Sequence, residues 1–166
     1  MEISKLNAMR EDDFIDALDE VYENGDWIAE IALGSRPFAD FEQLTNCLRD
    51  ALENSDQAAK TELLLSHPEL HAVSDTNDPS LAFLAERKTA GLHQLDKEES
   101  ELLDGLTEAY RGIHGFPFIT HLPNQEKVAV FRSFGERLLN DRSTEILNAF
   151  TALHETAKHR VEVISA

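Results

Sequence analysis

A single cysteine, Cys47, stands in the 166 residues, so no internal disulfide can form and the chain fits a reducing compartment. It lies among Phe41, Leu44, Leu48 and Ala51 at helical spacing, which predicts a buried structural thiol in preference to a nucleophile. Long apolar runs are missing as well. None approaches the ~20 residues that a membrane-spanning helix needs, and the acidic, mixed N-terminus lacks the basic region and apolar core of a secretory leader. A cytoplasmic protein with no membrane partner is therefore expected. Positive charge is scarce: 15 Lys and Arg face 32 Asp and Glu, a formal charge of −17. So acidic a surface repels nucleic acid and anionic lipid. An anionic substrate would need local positive charge against that field, which draws attention to any inward-facing arginine. Low-complexity linkers and repeats are absent too, and one domain over residues 1–166 is the expectation.

What is present is helical periodicity. Phe14, Leu18, Val21 and Tyr22 form a first stripe, closed by Asn24-Gly25. A short segment around Trp27-Ile28 and Ile31-Ala32 ends at Gly34, Arg36-Pro37-Phe38 turns, and Asp40 is placed to cap a helix reaching Leu52. Asp56 caps another carrying Leu63 and Leu64, which stops at His67-Pro68 because proline disfavours helix in the residue before it. Ser74-Asp75-Thr76-Asn77-Asp78-Pro79 is a loop by composition, and a helix over 79–90 ends at Gly91. Asp96 with Glu99 predicts a capping box, followed by a stripe of Leu102, Leu106, Tyr110 and Ile113. Gly115-Phe116-Pro117-Phe118-Ile119 breaks that helix, leaving 118–122 as the only candidate extended piece. Helices over 125–139 and 143–164 follow, the last with Ile146, Phe150, Leu153, Ala157, Val161 and Ile164 on one side. The pattern is all-α, a single compact domain of about eight helices.

Two apolar, proline-bearing breaks in a helical chain are candidate pocket walls, since loops on a rigid scaffold carry function more often than the scaffold does. His67 reads either as a polar helix end or as a general acid/base. His67 and His71 are four apart, but Pro68 between them argues against a shared helical face, so no metal site is expected. Glu86 alone reads as a surface glutamate. Arg160 borders the apolar stripe of the last helix, where it either snorkels outward or offers an inward fork to a carboxylate or ureido group. Residues 115–119 are either an apolar connection or a wall that presents backbone groups to a planar polar ligand, with Phe116 and Phe118 as its apolar part. His93, His114, His154 and His159 show no partner pattern.

These residues form an ordered set. His67-Pro68-Glu69-Leu70, Glu86 with Ala90-Gly91-Leu92, Leu106, Tyr110 and Gly115 to Ile119, and Ala157 with Arg160 together resemble the OHCU decarboxylases, enzymes acting on 2-oxo-4-hydroxy-4-carboxy-5-ureidoimidazoline. Trp27-Ile28-Ala29-Glu30, Arg36-Pro37-Phe38 and Asn140-Asp141-Arg142 with Glu145 fit the same pattern, so the resemblance runs from about Leu6 to Val161. It implies an all-helical fold, cofactor-free decarboxylation to (S)-allantoin in urate catabolism, and a homodimer. It also implies His67 as catalytic acid/base with Glu86 as its carboxylate partner. Pro68, Phe83, Leu84, Ala85, Arg87, the stretch Phe118, Ile119, Thr120, His121 and Leu122 (largely through its backbone), and Arg160 would contact substrate. Where the family reads Ser-x-x-Glu-Gln, this chain has Phe83-Leu84-Ala85-Glu86-Arg87. That difference motivates two alternatives: a sister enzyme for another small carboxylated or ureido heterocycle, and a non-catalytic helical binding module.

Overall fold

The computed structural model describes residues 1–71 and 80–166; the expected loop over 74–79 lies outside them. Among the described residues every regular element is a helix, nine in all and one more than the periodicity suggested. The chain divides into two compact units, Met1–Ser66 with His154–Ala166, and His67–Leu153. No described helix is long and apolar enough to cross a membrane.

The first unit holds α1 (Ile3–Asn7), α2 (Glu11–Asp16), α3 (Asp26–Leu33), α4 (Phe41–Glu53), α5 (Gln57–Ser66) and the end of α9 (Arg142–Ser165). Helix α1 carries one buried side chain, Leu6, too little for a periodic signal. The stripe Phe14, Leu18, Val21 and Tyr22 is buried as expected, but α2 ends at Asp16 and the rest follows in turns. At the expected stop, Asn24 takes the left-handed conformation, with φ of 57°. Gly25 is needed for space, because a Cβ there would sit 2.6 Å from the Tyr22 Cβ. Both aspartate caps form: Asp40 accepts from the Gln43 N–H and Asp56 from the Ala59 N–H, satisfying donors that a helix start leaves open. Helix α2 packs on α3 and α3 on α4. Cys47 on α4 is only half-buried, since Leu44, Leu48, Ala51 and Leu52 take the inward face.

His154 lies in this unit and does have partners. The Tyr22 hydroxyl is 3.1 Å from its Nδ1, and Glu53 is 3.5 Å from its Nε2. Burial lowers the His154 pKa against the opposing charge of Glu53, with a smaller lowering from Arg49, and burial likewise raises that of Tyr22. The stable arrangement is a protonated phenol donating to a neutral imidazole.

The second unit contains α6 (Leu81–Thr89), α7 (Lys97–His114), α8 (Lys127–Arg137) and the start of α9. Ser80 caps α6, and Asp96 with Glu99 makes the full capping box on α7. Helix α7 ends at Gly115, whose φ of 80° is the left-handed stop that glycine adopts without a Cβ penalty. The stripe on α7 needs correction. Leu102 and Ile113 are exposed, and the buried face is Leu103, Thr107, Tyr110 and His114. Tyr110 sets that register: its ring centroid lies 4.5 to 5.9 Å from those of His114, Phe118, Phe116 and Phe134. Residues 118–122 are irregular backbone, with no strand.

Candidate active site

His67 opens the second unit at the break that ends α5. Its Nδ1 is 3.0 Å from the Pro68 carbonyl. A carbonyl can only accept, so Nδ1 carries the hydrogen and Nε2 holds the lone pair of the neutral ring. The imidazole meets the Phe83 ring edge-on, with centroids 5.8 Å apart and planes at 86°. Beyond Pro68 the segment is pinned to α6 and α7 through one side-chain carboxylate and two backbone carbonyls. Arg111 donates to Glu69 at 2.7 Å, the Thr107 hydroxyl to the Leu70 carbonyl at 2.9 Å, and Arg87 to the His71 carbonyl. The His71 ring turns to Asp104 at 3.1 Å. A proline-fixed φ and these anchors aim His67 without help from a regular element.

On α6, Phe83, Glu86 and Arg87 sit at i, i+3 and i+4, hence on one face, and all three are buried. The surface reading of Glu86 is therefore replaced by a carboxylate held one turn from the ring that abuts His67. The Arg87 guanidinium lies 5.4 Å from the Phe83 ring centre as well as reaching His71. Leu84 is half-buried and Ala85 exposed, so α6 does not bring these two to the shared face.

Residues Phe116, Phe118, Ile119 and Leu122 are all buried, and Thr120 and His121 half-buried. The two phenylalanine rings point into the Tyr110 cluster, where Phe118 stacks on Phe134 at 3.8 Å; what this stretch can offer a ligand is its main chain. Among the described residues, the backbone N–H groups of Phe118, Ile119 and Thr120 donate to no protein acceptor. Buried main-chain donors are almost always paired, so a run of open ones is what a ligand's oxygens would complete.

Behind the stretch lies a polar network that the periodicity did not reveal. Glu145, fully buried, accepts from the Tyr110 hydroxyl at 2.5 Å, Arg137 Nε at 2.9 Å, Asn140 at 2.9 Å and Asn148 at 2.8 Å. Burial opposes its charge, yet those donated hydrogen bonds together bring its pKa down to about 2. Arg137 also donates from Nη1 to the Ile119 carbonyl at 2.8 Å and lies 4.5 Å over the Phe118 ring. One signal was available in the sequence: Glu145 precedes Ala149, Ala152 and Leu153 at i+4, i+7 and i+8, a carboxylate on the buried register of α9.

Arg160 belongs to the first unit and is an inward arginine, 6% exposed, which settles the snorkelling alternative against itself. Its Nη1 donates to Glu23 at 2.9 Å and to the Glu20 carbonyl at 2.5 Å.

Comparison with known proteins gives consistent matches. The family model described as OHCU decarboxylase matches residues 7–162. The 2-oxo-4-hydroxy-4-carboxy-5-ureidoimidazoline decarboxylase of Haloferax volcanii is 31% identical over 96% of this chain and 93% of its own length. The uric acid degradation bifunctional protein of Bacillus sp. is 33% identical over 99% of this chain, which spans 32% of that longer protein. Among solved structures, an (S)-allantoin synthase matches with a TM-score of 0.78 at 23% identity, over 99% of this chain and 54% of the other. That likeness shows the fold.

Proposed function

From the premise that this chain belongs to the OHCU decarboxylase family, matched from residue 7 to residue 162, we infer its activity and the residues that perform it. It is a carboxy-lyase that decarboxylates 2-oxo-4-hydroxy-4-carboxy-5-ureidoimidazoline to allantoin in urate degradation. We read residues 1–166 as one domain of this family, a reading supported by a match that runs from residue 7 to residue 162. The finer readings are that the product is the S enantiomer, that the enzyme is a cytoplasmic homodimer, and that His67 and Glu86 act on the substrate.

The substrate sets the chemical requirement. Breaking the bond from C4 to the carboxylate leaves an electron pair, which the neighbouring ring C=N takes up as carbon dioxide departs. The ring nitrogen that received the pair takes up a proton, and the resulting enol gains another at C5 while the 4-hydroxyl gives one up, yielding the 4-oxo product; the net change consumes one proton and releases carbon dioxide. A single well-aimed acid/base can serve both transfers. The observation that carries the assignment of His67 is its Nδ1–H held on the Pro68 carbonyl at 3.0 Å, which leaves Nε2 as the basic nitrogen. Glu86, one turn from Phe83, is suited to orient the imidazolium or to stand near the departing carboxylate. Pro68 and the α6 face of Phe83 and Arg87 wall the substrate, with Leu84 and Ala85 off that face. The main chain from Phe118 through Ile119, Thr120 and His121 to Leu122 donates to its oxygens. By the family resemblance, Arg160 is the remaining candidate substrate contact, through charge-assisted hydrogen bonds. Protonation from one fixed side accounts for a single enantiomer, which decay in water lacks.

Arg87 bears on the sister-enzyme alternative. Its guanidinium bonds the His71 carbonyl, so this departure from the family pattern reinforces the segment that carries His67 and requires no new substrate anion. The test follows freshly generated substrate by circular dichroism. Wild type is expected to produce (S)-allantoin, and His67→Asn to lose at least about a hundredfold in kcat. Decay as fast with His67→Asn as with wild type would remove His67 from the mechanism. Sedimentation velocity of the same sample checks the dimer.

A further inference from the structure

We propose that Arg137, braced by Glu145, is a positioning residue for this decarboxylation: it fixes the Ile119–Thr120 peptide so that the Thr120 N–H is aimed at a substrate oxygen. The inference rests on the reading of residues 118–122 as a substrate-contacting main chain.

The geometry behind it is short. Arg137 Nη1 holds the Ile119 carbonyl at 2.8 Å. The Ile119–Thr120 peptide is trans, the cis bond among the described residues being Arg36-Pro37. In a trans peptide the C=O and the following N–H point in opposite directions. Fixing the carbonyl on Arg137 therefore directs the Thr120 N–H away from the network. Thr120 is the half-buried residue after two buried ones, and its N–H has no acceptor among the described residues. The aimed donor thus sits where the buried stretch becomes accessible.

Arg137 itself has little freedom. Its Nε donates to Glu145 Oε2 at 2.9 Å and its Nη2 lies 2.8 Å from the same oxygen as an ion pair, so that, with Nη1 on the Ile119 carbonyl, the plane of the guanidinium is set. The Phe118 ring lies under that plane at 4.5 Å and is stacked in turn on Phe134 of α8. Tyr110 on α7 donates to that same Oε2, and Asn140 before α9 and Asn148 on α9 hold Oε1. One guanidinium so joins α7, α8 and α9 to one peptide of the wall. An arginine serving only to neutralise Glu145 would not need its remaining nitrogen on that particular carbonyl.

Arg137→Lys keeps the charge but replaces the planar fork by a point donor that cannot hold Glu145 and Ile119 in the same geometry. Tyr110→Phe removes only the hydroxyl that shares Glu145 Oε2 with Arg137. A contact made alike in ground and transition states appears in KM, with kcat preserved, so Arg137→Lys should raise KM at least about tenfold and Tyr110→Phe about two- to fivefold. The affinity for allantoin should weaken in parallel. In wild type the Thr120 amide resonance should move on adding allantoin, and in Arg137→Lys that movement should be lost. A purely structural role would lower the folded fraction and the thermal midpoint and leave KM of the folded enzyme unchanged. An active wild type whose two variants both keep KM within about twofold overturns the proposal. If Arg137→Lys fails to fold, Tyr110→Phe and the wild-type Thr120 resonance decide it alone. A wild type that does not accelerate decarboxylation removes the functional reading, and the inference with it.

Discussion

Glu145 keeps a full negative charge in a place from which water is excluded. Its low pKa, about 2, makes it a pH-dependent element of stability. The folded value lies below the unfolded one of about 4.3, so its contribution is complete above that pH and is lost as pH falls toward 2. Between pH 6 and pH 2, wild type should lose on the order of 2 kcal/mol more stability than Glu145→Gln. Urea denaturation at stepped pH measures this, and parallel curves for the two proteins would refute it. The same residue marks how far a site can be read from sequence. His67 and Glu86 were legible as a pattern because they stand in distinctive local strings. Arg137 was not, because nothing adjacent to it tells an arginine that grips a carbonyl from one that faces solvent. Its partners lie 18 residues upstream and 8 downstream, beyond the reach of any helical spacing.

At the level of elements, the starts and stops of helices were the readable part. Asp40, Asp56 and Asp96 cap as their spacing to the next backbone donors predicts, and Gly115 stops α7. Which face each helix buries was less readable. On α7 the sequence offers two adjacent stripes, one through Leu102 and Ile113 and one through Leu103, Tyr110 and His114, which differ by one residue. Leu103 is fully buried and Leu102 is 54% exposed. Leu103→Ala should therefore cost about 2–5 kcal/mol and Leu102→Ala no more than about 0.5 kcal/mol. Thermal or urea unfolding of the two variants compares them directly, and equal losses would mean the register is wrong. Hydrophobic periodicity misjudged this helix because Thr107 and His114, on the buried face, are polar by type. Thr107 is admitted because its hydroxyl finds the Leu70 carbonyl.

Over the whole molecule, negative charge is in large excess. A formal −17 on 166 residues gives a self-repulsion that favours expansion of the chain. Several of its described ion pairs are exposed and add little stability. Screening should then help more than it harms. Raising sodium chloride from 20 to 500 mM shortens the screening length to a few ångströms, and the thermal midpoint should rise by about 2–5 °C. A midpoint that falls with salt would show that the ion pairs outweigh the repulsion. The family and its all-helical fold were visible at this scale in the order of short strings along nearly the full chain.

By itself, then, the sequence determined what depends on neighbours within a few residues. It set the helical class, the capped starts and glycine stops, the proline break that frees His67, and the excess of negative charge. These follow from dihedral preferences and from hydrogen bonds three or four residues apart. Only the tertiary structure decided which face of α7 is buried, that the Phe116 and Phe118 rings are core, and that the Tyr110–Glu145–Arg137 network stands behind Ile119. Those outcomes turn on groups as far as 35 residues apart, whose pairing is selected by packing and by the need to satisfy buried polar atoms.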